Sequence, residues 1–265
     1  MSMSKRPIRG FLWFVLALVA RLVPRASRMT VLLYHSISDG GDFFAVSPGE
    51  FRRQMEYLKQ QMDIVPLERA FRHAKGEQVL RNSIAITFDD GYQDFLTSAL
   101  PILQELGIPA TVFVLGDSPD RAQLENDLPL LTSEQLRTLG NEPLVTVGSH
   151  ALSHKKLTRL SLEELHHELT ESSLLITERT GATPRYLAYP KGAHNQVVME
   201  ATASNGYRGG CSVIERAVRV GDNPYTLPRI QIDASTNFSL FRTKLSIASD
   251  WYYALWSLKG RPKAK

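Results

Sequence analysis

The sequence Ser83-Ile84-Ala85-Ile86-Thr87-Phe88-Asp89-Asp90-Gly91 joins an apolar run to a turn that carries two carboxylates. Residues 84–88 are apolar or β-branched, which is typical of a buried strand, and Asp-Asp-Gly is typical of the turn that ends one. Side chains of adjacent residues at a strand end point in different directions. We therefore expect Asp89 and Asp90 to have different functions.

A second polar segment contains two histidines four residues apart, His150 and His154, and follows another apolar strand candidate. If this segment is helical or turn-like, the spacing places both imidazoles on one face. Two neutral imidazoles and one carboxylate are a common set of zinc ligands, and a second carboxylate nearby can accept a proton from water. Either segment alone is a weak signal, but together they predict a metal-dependent hydrolase.

Strand-forming and helix-forming segments alternate along the chain. Strands are predicted at residues 30–37, 83–88, 110–115, 144–149, 186–190, 207–213 and 226–232. Helix starts are indicated by Ser47-Pro48, by Thr132 with Gln135 and by Ser161 with Glu164. The alternation implies a parallel sheet, and seven strands in 265 residues favour a closed or nearly closed α/β barrel. An open doubly wound sheet is the alternative.

A parallel barrel carries its chemistry at the C-terminal ends of its strands. The polar residues of this chain fit that rule. His35 ends the first predicted strand, Asp89 and Asp90 the second, His150 follows the fourth, and Tyr189-Pro190-Lys191-Gly192 ends the fifth. The barrel therefore predicts that these residues converge on one rim.

The composition is that of a globular chain with one large domain, 43% hydrophobic and 22% charged. The single cysteine, Cys211, excludes an intrachain disulfide. The net charge is +4, and the positive residues are concentrated at the two ends rather than spread with aromatic residues over one face. We therefore expect no nucleic-acid partner.

Residues 11–20 form an apolar segment with basic residues on both sides. At ~1.5 Å per residue it is too short to cross a hydrocarbon layer of ~30 Å. Basic residues directly after the apolar core disfavour translocation, and no clear small-x-small cleavage site is present. We predict that residues 1–28 are an uncleaved targeting or membrane-interface segment at the cytoplasmic face of the inner membrane. The alternative is a secreted or periplasmic enzyme whose signal peptide is cleaved.

The C-terminal residues 246–265 combine aromatic and basic side chains. They include Trp251, Tyr252, Tyr253 and Trp256, followed by Lys259, Arg261, Lys263 and Lys265. This order suits lipid headgroups, and the alternative is a final helix packed on the barrel. A membrane surface is thus a predicted partner.

Three motifs together resemble those of the polysaccharide deacetylases with a NodB-homology domain, carbohydrate esterase family four. They are Thr87-Phe88-Asp89-Asp90-Gly91, Ser149-His150 with His154, and Ala188-Tyr189-Pro190-Lys191-Gly192. The resemblance covers roughly residues 29–245, which would be the deacetylase domain, and implies a distorted (β/α)7-type barrel. The sequence Leu33-Tyr34-His35-Ser36-Ile37 resembles the subgroup that includes deacetylases of poly-N-acetylglucosamine.

The resemblance implies a role for each matching residue. Asp90, His150 and His154 would bind a divalent metal, with zinc favoured and other divalent ions open. Asp89 would be the general base for a water molecule activated by the metal, and His35 would be the general acid. The backbone of the third motif, at Tyr189, Pro190 and Lys191, would contact the substrate or hold the oxyanion of the acetyl carbonyl.

The third motif departs from the family pattern at two positions. Many family members carry an arginine two residues before the proline, bonded to the base carboxylate, but this chain has Ala188 there. Arg229 either reaches the same carboxylate from another strand or is a solvated residue at a strand end. An aromatic residue commonly precedes the glycine of the motif, whereas this chain has Lys191.

The implied function is removal of N-acetyl groups from an N-acetylated amino sugar, in a polysaccharide or a lipid-linked glycan. One alternative is hydrolysis of another non-peptide carbon–nitrogen amide bond on the same fold. Another is a non-catalytic carbohydrate-binding or membrane-associated protein. The complete set of ligands, base and acid favours an enzyme, and the oligomeric state is left open.

Overall fold

The computed structural model describes residues 28–40, 42–117 and 128–258. In these ranges the strands are β1 (Met29–Tyr34), β2 (Ser36–Ile37), β3 (Ala45–Val46), β4 (Asp63–Ile64), β5 (Ser83–Phe88), β6 (Ala110–Val114), β7 (Val145–Ser149), β8 (Tyr186–Ala188), β9 (Gly209–Cys211) and β10 (Ile230–Gln231). The α-helices are α1 (Pro48–Gln61), α2 (Leu67–Ala74), α3 (Leu100–Leu106), α4 (Ser133–Gly140), α5 (Leu162–Thr180), α6 (Gln196–Ser204), α7 (Phe238–Lys244) and α8 (Ala248–Leu258). A π-helical turn at Phe95–Ala99 leads into α3, and 3-10 turns lie at Leu157–Arg159, Pro190–Gly192 and Pro224–Thr226.

The main sheet is parallel and curls into a barrel-like arrangement. Its strand order is β10-β1-β5-β6-β7-β8-β9, with β4 paired to the start of β5. Leu227 forms a parallel bridge to Cys211 of β9, and three residues later Ile230 pairs with Leu32 of β1. The last strand thus lies beside the first, and the order lacks the reversal of a doubly wound sheet. The barrel prediction is confirmed, and the open alternative is wrong.

Each of the seven predicted strands is present, but several are shorter than predicted. The first divides at His35 into β1 and β2, and the last is reduced to two paired residues. Pro228 lies within that last segment and has no N–H to donate, so it interrupts the ladder before β10. The two-residue strands β3 and β4 were not predicted, because two residues are too short to show a period.

The helix starts predicted from capping residues are confirmed. The Ser47 side chain accepts a hydrogen bond from the Glu50 N–H at the start of α1. Capping boxes are present at Thr132 before α4 and at Ser161 before α5. Because such caps satisfy N–H groups that have no partner inside the helix, they fix where each helix begins.

Strand β5 is buried along its whole length, and its side chains alternate between two packing layers. Ile84 and Ile86 pack in the cluster between the sheet and the helices, whereas Ala85 packs with Phe113 in a second cluster. The two-residue period continues on that second side through Thr87 to Asp89. The period therefore directs Asp89 toward the side of the sheet on which Phe113 lies.

The two ends of the described chain meet at the start of β1. Arg28 lies 2.9 Å (Nη1) from Asp250 Oδ2 and donates from Nη2 to Ser249 Oγ at 2.8 Å. Asp250 Oδ1 also accepts from the Ala217 N–H at 2.9 Å. Helix α8 occupies part of the predicted tail, with Tyr252 buried. The division of the chain at residues 28 and 245 stays a prediction.

Within the described residues, no helix combines the length and apolar character needed to span a membrane. The predicted segment 1–28 lies outside the described residues except for Arg28, and so do the basic residues from 259 onward.

Candidate metal centre

Three potential metal ligands converge where β5 and β7 end. The Nε2 atom of His150 lies 3.3 Å from Asp90 Oδ1, and the Nε2 atom of His154 lies 3.4 Å from the same oxygen. One ligand atom from each residue lies within 4.8 Å of the other two. Asp90 and His150 are buried, while His154 is partly open to solvent. The sequence-predicted set is therefore brought together at the rim.

The backbone after β5 turns sharply to present Asp90. The last ladder bond runs from the Asp89 N–H to the Tyr34 carbonyl, at 3.0 Å. Asp90 then has a φ of 71° and Gly91 a φ of 73°. Left-handed backbone is unusual for a residue with a side chain, and aspartate is one of the few types that adopt it readily. Asp90 thereby leaves the alternation of the strand, which separates its carboxylate from that of Asp89.

The segment that carries the two histidines is a turn rather than a helix. The His150 N–H still donates to Val114, at 2.7 Å, and Ala151 and His154 then adopt left-handed φ angles of 63° and 61°. The two imidazole rings lie 5.1 Å apart. The sequence was compatible with either a helical or a turn-like segment here, and the structure contains the turn-like one.

The hydrogen bonds of His150 leave its Nε2 atom facing Asp90. Its Nδ1 atom bonds to the Ala188 carbonyl, at 2.8 Å, so in the neutral ring Nδ1 carries the proton and Nε2 has a lone pair. Burial by itself would lower the pKa of His150, but Asp89, Asp90 and the Ala188 carbonyl together raise it. Burial and the neighbouring His150 lower the pKa of His154 to about 4, against the attraction of Asp90.

The Asp90 carboxylate has an unsatisfied oxygen that faces both imidazoles. Burial would raise the pKa of Asp90, but the adjacent imidazoles, first that of His150, lower it, so the group is ionised. Among the described residues, buried Oδ1 of Asp90 has no hydrogen-bond partner. An unsatisfied buried carboxylate oxygen is costly unless a cation or donor meets it. The donor set therefore fits a divalent cation held by one carboxylate and two imidazoles.

Arg229 holds the second carboxylate, that of Asp89. Its Nη1 and Nη2 atoms donate to Asp89 Oδ1 and Oδ2, both at 2.7 Å, and its Nε donates to the Ser212 carbonyl at 3.0 Å. Burial would raise the pKa of Asp89, but the guanidinium lowers it. Arg229 is 0% exposed, so the alternative of a solvated arginine is wrong. Arg229 therefore makes the contact with the Asp89 carboxylate that the resemblance assigns to an arginine at the position of Ala188.

His35 follows β1, and its imidazole ring lies 4.8 Å from that of Phe44. Its Nδ1 is buried and has no hydrogen-bond partner among the described residues. Burial lowers the pKa of His35, while the charges of Asp90 and Asp89 oppose that shift. The group therefore lies within electrostatic range of both carboxylates.

The third motif places its backbone, rather than the Tyr189 side chain, at the rim. Tyr189 is fully buried, and its hydroxyl donates to the Tyr225 carbonyl at 2.9 Å. Lys191 is exposed at the tip of the Pro190–Gly192 turn, with a left-handed φ of 59°, and its charge contributes to the lowered pKa of His154. A contact of Tyr189 with substrate would have to come from its main chain.

The contribution of Glu168, on α5, to the site was not predicted from the sequence. Its carboxylate is buried and accepts the N–H groups of Leu152 and Ser153, in the turn between the two histidines. The signal was present, because Glu168 is a charged residue on the buried face of α5, beside Leu165 and Leu169. An acidic residue on such a face needs donors from elsewhere in the chain.

Comparison with known proteins identifies relatives of this chain. A family model described as polysaccharide deacetylase matches residues 76–210. The YxkH protein of Bacillus subtilis is 26% identical over 219 residues, which are 82% of this chain and 76% of that protein. A poly-beta-1,6-N-acetyl-D-glucosamine N-deacetylase of Staphylococcus aureus is 26% identical over 198 residues, which are 71% of this chain and 68% of that protein.

Solved structures share the fold. IcaB from Ammonifex degensii matches with a TM-score of 0.74 and 21% identity, covering 83% of this chain and 98% of that chain. The Streptococcus pyogenes deacetylase PplD matches with a TM-score of 0.69 and 21% identity, covering 83% of this chain and 99% of that chain. The predicted NodB-type barrel is thereby confirmed.

Replacing Arg229 by methionine should lower the free energy of unfolding by about 3–5 kcal/mol, because Asp89 would stay buried without its partner. Urea denaturation followed by circular dichroism measures the change.

The matched control is Arg52→Met. Arg52 donates to both oxygens of Glu105, at 2.9 and 2.7 Å, with the same two-pronged geometry but in an exposed position. Solvent screens that pair, so the urea midpoint should stay near that of the unmodified chain. Equally small shifts in the two variants would show that burial does not strengthen the Arg229–Asp89 pair.

Proposed function

The chain belongs to the polysaccharide deacetylase family, and we propose that it is a metal-dependent hydrolase that removes N-acetyl groups from an N-acetylated amino sugar in a polysaccharide or lipid-linked glycan. The observation that carries this proposal is the convergence of Asp90, His150 and His154 beside Asp89, which is fixed by Arg229. A binding protein would not need both a ligand set and a separate ionised carboxylate.

Asp90 and the Nε2 atoms of His150 and His154 would hold the cation, and we favour zinc because two imidazoles and one carboxylate with an open position suit it. When bound, the cation would polarise the acetyl carbonyl and lower the pKa of water toward neutrality. The low pKa of His154, about 4, keeps its imidazole neutral at pH 7, as a ligand must be.

Asp89 would accept the proton of the attacking water. Its lowered pKa makes it a weak base, so the transfer requires a water that is already acidified. Arg229 gives Asp89 a fixed orientation, since both carboxylate oxygens are held by the guanidinium. The proton of the attacking water would bind to an oxygen lone pair of Asp89 that does not accept a hydrogen bond from Arg229.

His35 would supply the proton that the leaving nitrogen needs. Breaking the amide carbon–nitrogen bond yields acetate and a free amine, and the amine nitrogen must be protonated as it departs. The lowered pKa of His35 makes its protonated form a stronger acid. The backbone of the Pro190–Gly192 turn would support the developing oxyanion.

The substrate class that we favour is a polymer or lipid-linked oligomer of N-acetylglucosamine. The Staphylococcus aureus relative is named for poly-beta-1,6-N-acetyl-D-glucosamine, which supports this choice. We further propose that residues 1–28 associate with the membrane surface. Arg28, the last residue of the predicted segment, is bonded to Ser249 and Asp250 at the start of α8, a helix that contains Trp251, Tyr252 and Tyr253.

Substitutions at the rim should separate metal binding from turnover. Asp90→Ala or His150→Ala should abolish metal retention, whereas Asp89→Asn should retain metal and lose activity, because a neutral amide cannot accept the proton. Metal content by mass spectrometry and acetate release from β-1,6-linked and β-1,4-linked N-acetylglucosamine oligomers measure the two properties.

The control for these variants is His167→Ala, which removes an exposed imidazole on α5 and should change neither property. Full activity in Asp89→Asn would contradict the assignment of the base. Absence of metal from the folded, unmodified chain would contradict the metal centre itself.

The His35→Ala variant should reveal the general acid through its dependence on the leaving group. Acetate release from an N-acetyl amino sugar should fall by about 100- to 10,000-fold. Hydrolysis of an aryl acetate should change far less, because a phenolate departs without protonation. Equal losses on the amide and the ester would argue against His35 as the acid, and unchanged metal content serves as the control.

Deleting residues 1–27 should move the protein from the membrane pellet to the supernatant. The truncation keeps Arg28 and its contacts with Asp250, so acetate release from soluble oligomers should not change. Sedimentation of cell membranes followed by immunoblotting measures the distribution. A truncated chain that sediments like the full chain would refute the N-terminal anchor.

A further inference from the structure

The turn from His150 to His154 has a conformation that its own residues do not favour. Ala151 and His154 both adopt left-handed backbone, with φ of 63° and 61°, although neither is glycine. Left-handed backbone brings the Cβ atom close to the carbonyl oxygen, so such residues persist only where the surroundings hold them. Contacts from outside the turn must therefore fix the position of His154.

Glu168 supplies the contacts to the N–H side of the turn. Its Oε2 accepts the N–H groups of Leu152 and Ser153, at 3.1 and 3.0 Å, and its Oε1 accepts the Ser153 hydroxyl at 2.5 Å. The Glu168 side chain is 4% exposed, and the ammonium of exposed Lys155 lies 3.8 Å from its Oε1. A buried carboxylate on a helix is thus directed at the turn just before the second imidazole.

The carbonyl side of the turn is held by the segment after β6. The N–H groups of Gly116 and Asp117 donate to the carbonyls of Ala151 and Leu152, both at 2.9 Å. His150, in contrast, is fixed independently of Glu168, through the Val114 carbonyl and the Ala188 carbonyl. Loss of the Glu168 contacts would therefore loosen His154 and leave His150 in place.

We propose that Glu168 is a positioning residue for the metal centre, which holds the turn so that the Nε2 atom of His154 faces Asp90. This inference rests on the proposed metal-dependent function. Three donors converge on its two carboxylate oxygens, and two of them are main-chain N–H groups that cannot accept a hydrogen bond. Glutamine could keep these contacts by turning its NH2 group toward the Ser153 oxygen, whereas alanine removes all three acceptor contacts.

The test is metal affinity, measured by competition with a chromophoric zinc chelator. Glu168→Ala should bind zinc about 10- to 100-fold more weakly than the unmodified chain, the range found when a supporting contact of a metal ligand is removed. The matched control is Glu178→Ala, an exposed position on the same helix, which should bind as the unmodified chain does. Thermal unfolding of the metal-free proteins is recorded in parallel.

A double variant distinguishes positioning from general stabilisation. Because Glu168 acts through His154, Glu168→Ala should cause no further loss of zinc affinity in a His154→Ala background. The same fold loss in both backgrounds would overturn the proposal, and so would unmodified zinc affinity in Glu168→Ala, whether or not its melting temperature falls. Absence of zinc binding by the unmodified chain would instead refute the proposed function.

If Glu168→Ala does not fold, Ser153→Ala tests the same contact. It removes only the hydroxyl donor to Oε1 and leaves both N–H contacts to Oε2. A smaller loss of zinc affinity in the same direction would support the proposal, and unchanged zinc affinity would overturn it.

Discussion

The bidentate pair between Arg229 and Asp89 is the interaction on which the rest of the architecture depends. Arg229 lies just before β10. Its Nε atom donates to the Ser212 carbonyl after β9, and its Nη1 atom donates to Thr87 Oγ1 of β5 at 3.2 Å. Thr87 in turn donates to the Leu32 carbonyl of β1. One fully buried cation thus connects the first strands of the sheet with the last. Both charges are excluded from water, so neither is tolerable without the other.

Backbone strain is concentrated at the same end of the sheet. Among the described non-glycine residues with positive φ, Asp90, Ala151, His154 and Lys191 all follow the C-terminal ends of strands, and only Asn82 lies elsewhere. The strain is offset by bonds from rigid neighbours, such as the long helix α5 and the end of β6.

Much of the fold was predictable because the strands are buried runs and the helices carry capping residues. The six consecutive buried residues of β5 and the capping box at Ser161 are local signals, readable without knowledge of tertiary contacts. The site was predictable in its ligand types, since β5 and β7 end at one rim. The features that could not be predicted depend on contacts between residues that are far apart in the sequence.

The partner of Asp89 lies 140 residues away, so no local pattern distinguished a buried Arg229 from a solvated one. The direction of the Tyr189 side chain, into the core and onto Tyr225, is likewise set by packing. Glu168 was hidden for a related reason, because its donors are main-chain groups, which every residue type provides. Side-chain identity alone does not report where a backbone N–H will point.

The contact between Arg28 and helix α8 has a geometric consequence. The six residues of strand β1 lie between Arg28 and His35 and extend over about 20 Å at ~3.3 Å per residue. The candidate metal centre and the point where the described chain enters the barrel therefore lie at opposite ends of the sheet. A molecule attached to a support through residues upstream of Arg28 would therefore present the candidate metal centre on the side that faces away from the point of attachment.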